Sequence, residues 1–486
     1  MTTYGTAVAR RIALTTALHE FSAIVERWVE RWEFPAASRR SNFRGGHMDP
    51  RRGGERIRAV ASVRRFLLPA GTTPATILPI VMWPIAILTM LDAVVFRAFA
   101  GDATDDFRPV RLAVTAFLHH RPVYTENLDT TDPHYLYPPG GTLLLAPLGP
   151  IDEQVARQIF VVVNAAAIVA AICVLVRMFG YRLDTGIAPI ALTFAFLSEA
   201  TINTLTFGNV NGIILLLEAV FLRALLARRN IRAGLVMGLT ITVKPTLAPL
   251  LLITIARRQW STIVTAVITP VAITAIAWPL STDPLAYFQR NLPYSMHIRD
   301  YFNSSISGMA RYYGISPPLT LILRAGTAIL IVSILWLLYR YYRRDEVFFV
   351  GTTAGVLMLG SFLLSSLGQQ YYSMFAFPLL MTVTLRQSLI RNWPAWAAIF
   401  AFMSYDKWLL DSNQSLGRAL EYWRVPIGWA ALLIVMACVL TDRYLAATRE
   451  GRLADGIDPP HLAPDLPGRA HTPSSHLDIA RSFNVF

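Results

Sequence analysis

The chain has 486 residues, 54% apolar and only 15% charged, and its mean hydropathy is +0.44. A soluble multidomain protein of this composition lacks the polar surface to cover itself. Apolar runs long enough to cross about 30 Å of hydrocarbon as helix recur along the sequence, while the weak alternation of an outer-membrane barrel is missing. The net charge of +13 lies in short gaps between the apolar runs, so it is a topology signal and not a nucleic-acid surface. The two cysteines, Cys173 and Cys438, fall within apolar runs and offer neither a disulfide framework nor a zinc site.

Residues 1–74 carry 13 Arg against 6 Asp or Glu, a net +7. They lack the apolar core and cleavage site of a signal peptide, and are expected to form a basic cytoplasmic extension. Within them "FSAIVERWVERWEF" (Phe21–Phe34) suits an amphipathic helix on the membrane surface. Spans are expected at 75–97, 155–179, 186–206, 210–227, 261–280, 318–341, 346–365, 371–389, 393–409 and 426–442, about ten in all. With the N-terminus inside, the inner gaps hold Arg177 and Arg182, then Arg228, Arg229 and Arg232, then Arg257 and Arg258, then Arg340, Arg343 and Arg344, then Arg386 and Arg391, then Arg443 and Arg449. Every inner gap is basic, as the positive-inside rule requires. The expected architecture is an all-α polytopic membrane protein. Its transmembrane domain covers 75–442 with long outer loops at 98–154 and 281–317, and a Pro-rich cytoplasmic tail over 443–486 is expected to be disordered.

The first outer loop opens on adjacent carboxylates, Asp105 and Asp106. Apolar positions at helical spacing follow (Val110, Val114, Phe117, Leu118) and predict an amphipathic helix on the outer leaflet. An Asp pair at a helix start also serves as N-cap and dipole partner. One carboxylate held by backbone bonds and another left free in a partly dry site suits a general base acting on a sugar hydroxyl. Arg108 and Arg111, one turn on, suit a phosphate-bearing leaving group or keep the pair ionised. The loop ends in "HYLYPPGGTLLLAPLGP", where Pro and Gly interrupt the helix and "TLLLAPL" is too short to span. A short element dipping into the leaflet is expected, with His134, Tyr135 and Tyr137 bordering the site. The adjacent His119 and His120 do not readily share one ion, and no metal is expected.

Further along, "FGNVNG" (Phe207–Gly212) places Asn209 and Asn211 in a tight outer turn. Turn chemistry alone favours Asn and Gly there, and amides also hydrogen-bond sugar hydroxyls. Glu199 and Glu218 are intramembrane carboxylates, functional or internally paired; Glu199, nearer the outer face, is the site candidate. Residues 233–256, "AGLVMGLTITVKPTLAPLLLITIA", lie between two Arg-rich gaps and therefore read as a re-entrant pair, broken by Pro245 and Pro249, with Lys244 at the tip. Lys244 is one of two lysines beside 42 arginines, and a compact ammonium suits a phosphate. The second outer loop, "YSMHIRDYFNSSISGMARYYG" (Tyr294–Gly314), combines Arg299, Arg311 and His297 with Asn303, Ser304 and Ser305. Such cations and donors suit a lipid-linked phosphate, and a tyrosine-rich interfacial belt is the purely structural alternative.

Several of these motifs together resemble the GT-C superfamily, polytopic glycosyltransferases that take sugars from polyprenyl-phosphate donors. They are "DF" at Asp106 and Phe107, "YPP" at Tyr137 to Pro139, the "GNVN" turn, "KP" at Lys244 and "FNSS". Within the superfamily the likeness is to the actinobacterial polyprenyl-phosphate-sugar-dependent family that includes the phosphatidylinositol-mannoside mannosyltransferases. That family commonly has Gly-Gln-x-Asn at the turn and Asn-Gln-Ser at the last motif. From about residue 74 to 460, through "DDFRPV", "DPHYLYPPGGTLL", "RDYFNSSI", "YYSM" and "IRNWPAW", the chain more closely resembles the membrane α-(1,3)-arabinofuranosyltransferases that branch arabinogalactan and lipoarabinomannan.

The resemblance implies a GT-C fold and transfer of D-arabinofuranose from decaprenyl-phospho-arabinofuranose to the 3-hydroxyl of an arabinan acceptor, with inversion, on the outer side of the plasma membrane. It implies Asp106 as base and Asp105 as its orienting neighbour. Arg299, Lys244, Arg108, His297, Asn303 and Ser304 are the expected donor-phosphate and lipid contacts, and His134, Tyr137, Asn209, Asn211 and Glu199 the expected acceptor or sugar contacts. No cofactor is expected, because a monophosphate leaving group can be met by the chain's own cations without a divalent ion. A polyprenyl-phosphomannose-dependent mannosyltransferase of the same fold is one rival reading. A lipid-linked-sugar transporter is another, against which stands the lack of paired halves with matching broken helices.

Overall fold

In the computed structural model, which describes residues 74–101, 105–405, 407–410 and 412–459, the described residues form helices and loops without a strand. From its N-terminal side, α1 (Pro74–Leu91) runs on through a π-helical stretch to Ala98, and two shorter elements follow, α2 (Phe107–Leu118) and α3 (Pro139–Leu145). Next, α4 (Glu153–Met178) is one continuous rod, while α5 (Ile187–Leu197) and α6 (Glu199–Thr206) are two halves bent by 60°. Then come α7 (Asn211–Leu226), α8 (Asn230–Val243), a 3-10 stretch (Pro245–Leu250) and α9 (Leu251–Ala256). After α10 (Trp260–Ala277), the second long loop holds α11 (Leu292–Met296) and α12 (Ile306–Tyr313). The remaining helices are α13 (Pro317–Leu337), α14 (Glu346–Leu364), α15 (Phe377–Met381), α16 (Trp393–Met403) and α17 (Gln414–Arg449).

By length and composition, 6 helices of the described residues qualify as membrane crossings, or 7 with the bent pair counted as one. The protein is multi-pass, with fewer long spans than the apolar runs suggest. The stretch expected as a span at 371–389 is broken into 3-10 turns at Gln370–Ala376 and Thr382–Thr384 around a short α15 with Pro378 in its first turn. Tyr371 to Met381 are all buried in protein, so that run is apolar because it is core, and a broken backbone is tolerated there. At 393–409 the helix is the 11-residue α16, about 16 Å long and too short to cross alone. The centre is α14, with 83% of its membrane-length window buried, against 11% for the windows of α1 and α10. Those two present exposed Ile80, Leu88, Val264 and Val271, as helices in contact with lipid do.

Small residues set the contact between α8 and α10. A Cβ on Gly234 of α8 would lie 2.5 Å from Thr265 Cβ of α10, and one on Gly238 would lie 2.4 Å from Thr269 Cβ. The four-residue glycine spacing thus seats α8 against two threonines at the same spacing. The chain then breaks where Pro245 was expected to break it. Lys244 is extended (φ −148, ψ 106), because the proline ring disfavours a helical residue before it. The two halves of this segment, α8 with 14 residues and α9 with 6, are each too short to cross.

The segment after residue 442 departs from the expected disordered tail. The helix α17 continues to Arg449, and the buried Arg443 donates to Asp458 Oδ1 (2.9 Å), Tyr342 Oη (3.0 Å) and the Gln387 carbonyl (2.9 Å). Residues 1–73, with the amphipathic helix expected at Phe21–Phe34, and residues 460–486 lie outside the described residues.

Candidate active site

The two adjacent carboxylates divide their bonds. Asp105 closes the turn into α2 by accepting from the Phe107 amide (2.8 Å), and its other oxygen pairs with Arg157 Nε. Arg157, one turn into α4, also donates to the carbonyls of Ala98 (2.9 Å) and Thr206 (2.8 Å). One planar guanidinium thereby ties together the end of α1, the start of α2 and the end of α6, a geometry that its fork of donors permits. Asp106 occupies the N-cap position but caps nothing. Its amide donates to the Phe207 carbonyl (2.7 Å), and its carboxylate turns to Asn209, whose Nδ2 donates to it at 2.7 Å. Gly208 makes this approach possible. It is left-handed (φ +63), and a Cβ there would lie 2.9 Å from Phe107 Cβ and 3.0 Å from Asp105 Oδ1.

Lys244 completes the cluster from the break after α8. Its Nζ donates to Asn211 Oδ1 (2.8 Å), lies 3.5 Å from Asn209 Oδ1, and stands over the ring of Tyr372 at 4.6 Å. Tyr371 Oη approaches Asp106 Oδ2 at 3.5 Å and donates to Gln369 Oε1. Burial pushes the Asp106 carboxyl above its ordinary 3.8; the Asn209 bond and the Lys244 charge pull it back in part, and the charge of Asp105 adds to the rise. A carboxylate so placed keeps its proton to higher pH than a surface aspartate and is a correspondingly stronger base. Tyr137, expected at the site, is near enough to interact electrostatically with Asp106 and Tyr372.

The other expected residues distribute differently. Arg299 lies 5.3 Å from the ring of Tyr294 and 5.9 Å from that of Tyr301, and its charge reaches Tyr371 and Tyr372. His134 packs edge-on against Tyr294, with Nε2 3.1 Å from the Thr130 carbonyl. Exposed His297 meets Arg311 at 3.3 Å, and Arg108 is exposed on α2. For Asn303 the expected phosphate contact gives way to a clamp. Its Nδ2 donates to the carbonyls of Arg299 (2.9 Å) and Ser366 (2.8 Å), and its Oδ1 accepts from the amides of Ser305 (3.1 Å) and Gly368 (2.9 Å). Two donors and two lone pairs are all the group has, so none is left for a ligand. Ser304 joins the clamp through its amide, 2.6 Å from the Gly368 carbonyl. Glu199 is likewise engaged elsewhere, 2.5 Å from Arg424 Nη2, at the end of α6 away from the Phe207 turn. Arg424 also binds Glu421 (3.0 Å) and the carbonyls of Ala401 (3.1 Å) and Ser404 (2.9 Å). That buried cluster corrects the expectation of Glu199 as an acceptor contact, because a charge so paired in a dry setting is a tether.

A half-buried carboxylate beside an amide, an ammonium and two tyrosines, on a multi-pass helical scaffold, can take a proton from a hydroxyl. The sequence profile of glycosyltransferase family 87 matches residues 135–366. Over 430 residues the chain is 46% identical to the alpha-(1->3)-arabinofuranosyltransferase of Mycobacterium tuberculosis, covering 86% of this chain and 99% of that one. The chain belongs to glycosyltransferase family 87. The protein of the same name from Mycolicibacterium smegmatis is 48% identical over 393 residues (80% of this chain, 91% of that one), and that of Corynebacterium glutamicum 40% over 358 (73% and 85%). This chain is accordingly a membrane glycosyltransferase, and the carboxylate cluster is read in that light.

Four residues of this glycosyltransferase's cluster were not singled out in the sequence. Tyr371 and Tyr372 open the run at 371–389 that reads as a span, and Gln369 lies in the short gap before it. Arg157 left one signal: it is a cation in the first turns of an apolar helix, and such a charge is by default paired.

Proposed function

We propose that this glycosyltransferase moves D-arabinofuranose from decaprenyl-phospho-arabinofuranose to the 3-hydroxyl of an arabinan acceptor, on the outer face of the plasma membrane, with Asp106 as general base. The observation that carries the reading is the Asp106 carboxylate, turned away from its helix onto Asn209 with Lys244 close behind. On this reading Asp106 takes the acceptor's hydroxyl proton as that oxygen bonds the anomeric carbon. The bond from the anomeric carbon to phosphate oxygen breaks with its electron pair going to the phosphate, and configuration inverts. Lys244 and Arg299 meet the departing charge, so no divalent ion is required. Asn211 Nδ2, buried without a protein partner, is a donor available to a sugar hydroxyl. The choice of arabinose over mannose is supported by the alpha-(1->3)-arabinofuranosyltransferase relatives, which align over nearly their whole length.

Purified protein, a short α-(1,5)-arabinan acceptor and radiolabelled polyprenyl-phospho-arabinofuranose test the reading, beside polyprenyl-phosphomannose and an Asp106→Asn protein. A 3-linked arabinosyl product from the wild type, with kcat reduced roughly 10²- to 10⁴-fold in the variant, is the expected result. Mannose incorporation instead would change the substrate, and full activity of the variant would remove Asp106 as base.

A further inference from the structure

The same three-residue turn occurs twice at the end of the molecule remote from Asp106. Ala227-Arg228-Arg229 joins α7 to α8, and Arg257-Arg258-Gln259 joins α9 to α10, with closely similar backbone angles at the flanking positions. In both, the middle residue is left-handed, with φ 53 at Arg228 and φ 57 at Arg258. Glycine is the residue such a position favours, yet arginine stands at both. The first turn lies one length of α7 from the Asp106 cluster, about 24 Å at 1.5 Å per residue.

Arg228 and Arg258 both line a single cavity of about 320 Å³, together with Arg257, Tyr339, Arg343 and Glu346. Arg257 is the telling member. Its side chain is only 5% exposed; Nη2 lies 3.1 Å from Glu346 Oε1 but makes no proper hydrogen bond, and Nε has no acceptor at all. Glu346 is shared with Arg228 Nη2 at 3.2 Å, so one carboxylate among the lining residues answers four guanidiniums. Arg343 lies 5.4 Å from the Tyr339 ring. A topology signal accounts for arginines in such turns. It does not account for a buried guanidinium with unmet donors, or for two arginines held where glycine belongs.

We propose that this cavity binds a phosphate-bearing ligand at a site separate from the one at Asp106. Arginines brought to one cavity by three connections offer the fork of donors that phosphate oxygens accept, and their surplus of positive charge favours an anion. The bridging phosphate comes either from a lipid headgroup or from a soluble phosphate ester, and the chemistry at the arginines is the same for both.

The test uses the full-length protein in detergent, with binding read by native mass spectrometry and by ligand-induced thermal stabilisation. Phosphatidylglycerol, phosphatidylcholine and sn-glycerol 1-phosphate are the probes, and Arg257→Gln and the double variant R228G/R258G are compared with wild type. The double variant keeps both turns, because glycine takes the left-handed conformation without strain, so loss of binding in it is not loss of fold. Wild type is expected to retain phosphatidylglycerol over phosphatidylcholine, with affinity falling about tenfold or more for each guanidinium removed. Displacement of the lipid by glycerol phosphate would assign the site to soluble esters, and resistance to it would assign the site to lipid. Equal retention of the anionic probes by wild type and both variants, or no preference for them over phosphatidylcholine, would overturn the proposal.

Discussion

Asn209 stands between the two opposite charges of the site: its Nδ2 donates to the Asp106 carboxylate at 2.7 Å, and its Oδ1 lies 3.5 Å from Lys244 Nζ. The amide thus orients the carboxylate and holds the ammonium back from a direct pair with it. Asn209→Ala removes a hydrogen bond to a charged group, worth about 1.5–3 kcal/mol. If that bond serves the transition state, kcat falls by about 10- to 100-fold with little change in acceptor KM. Steady-state kinetics of the variant, with circular dichroism to check folding, decide this. A change confined to KM would mean that Asn209 contacts the acceptor instead.

Arg157 is expected to act through Asp105. Its side chain and that of Asp105 are 15% and 21% exposed, so the pair falls between exposed bridges, worth about 1 kcal/mol at most, and buried ones, where losing one partner costs about 3–5 kcal/mol. Arg157→Ala should lower both thermal stability and kcat. Arg157→Lys should recover only part of each, because an ammonium does not reach Asp105 and two separate carbonyls in one plane. In a double-mutant cycle with Asp105→Asn, the two changes should be coupled by about 0.5–3 kcal/mol. Strict additivity would separate Arg157 from the carboxylate pair.

If Asp106 is the proposed base, the rate should carry the signature of a carboxylate held in a partly dry site. On the proposed role Asp106 acts when ionised, and burial holds its carboxyl above the ordinary 3.8. As pH falls, kcat/KM should therefore drop with a midpoint above that of a surface aspartate. The midpoint should rise again in Lys244→Met, since the Lys244 charge lowers the Asp106 pKa. A pH–rate profile of the two proteins measures the shift, and a midpoint that moved downwards in the variant would contradict the assignment.

The Glu199–Arg424–Glu421 cluster should matter to the fold before it matters to chemistry. Arg424 is fully buried and Glu199 nearly so, so Arg424→Met, which strands two acids, should cost about 3–5 kcal/mol. Glu199→Gln should cost less, because Glu421 still holds the guanidinium at 3.0 Å. Melting temperatures in detergent check the order, and the specific activity of the folded Glu199→Gln protein should stay near wild type.

Much of the site was legible because its chemistry is local. The adjacent aspartates announced both a turn and a spare carboxylate, the Lys-Pro pair announced a break, and the Gly-Asn turn announced the amides that meet there. What the sequence hid was long-range. Glu199 and Asn303 have the residue types of a sugar or phosphate site, and only the partners brought by α17 and the loop at 365–368 reveal them as a tether and a clamp. Hydropathy likewise does not tell a lipid-facing run from one buried in protein, which is why 371–389 reads as a span and folds as broken turns. Asp458 lies in a polar, proline-rich stretch with no periodicity, so nothing local marked it as the partner of Arg443.

The groups around Asp106 come from far apart along the chain: Asn209 is 103 residues downstream and Tyr371 is 265. During synthesis the carboxylate pair emerges early, and the last of its neighbours arrives only when three-quarters of the polypeptide has been made. On the proposed roles, a stalled or proteolysed nascent chain would be inert however much of its N-terminal half has inserted. Two separately expressed fragments divided between α12 and α13 would each lack part of the cluster, and transfer activity would return only on their reassociation in the bilayer.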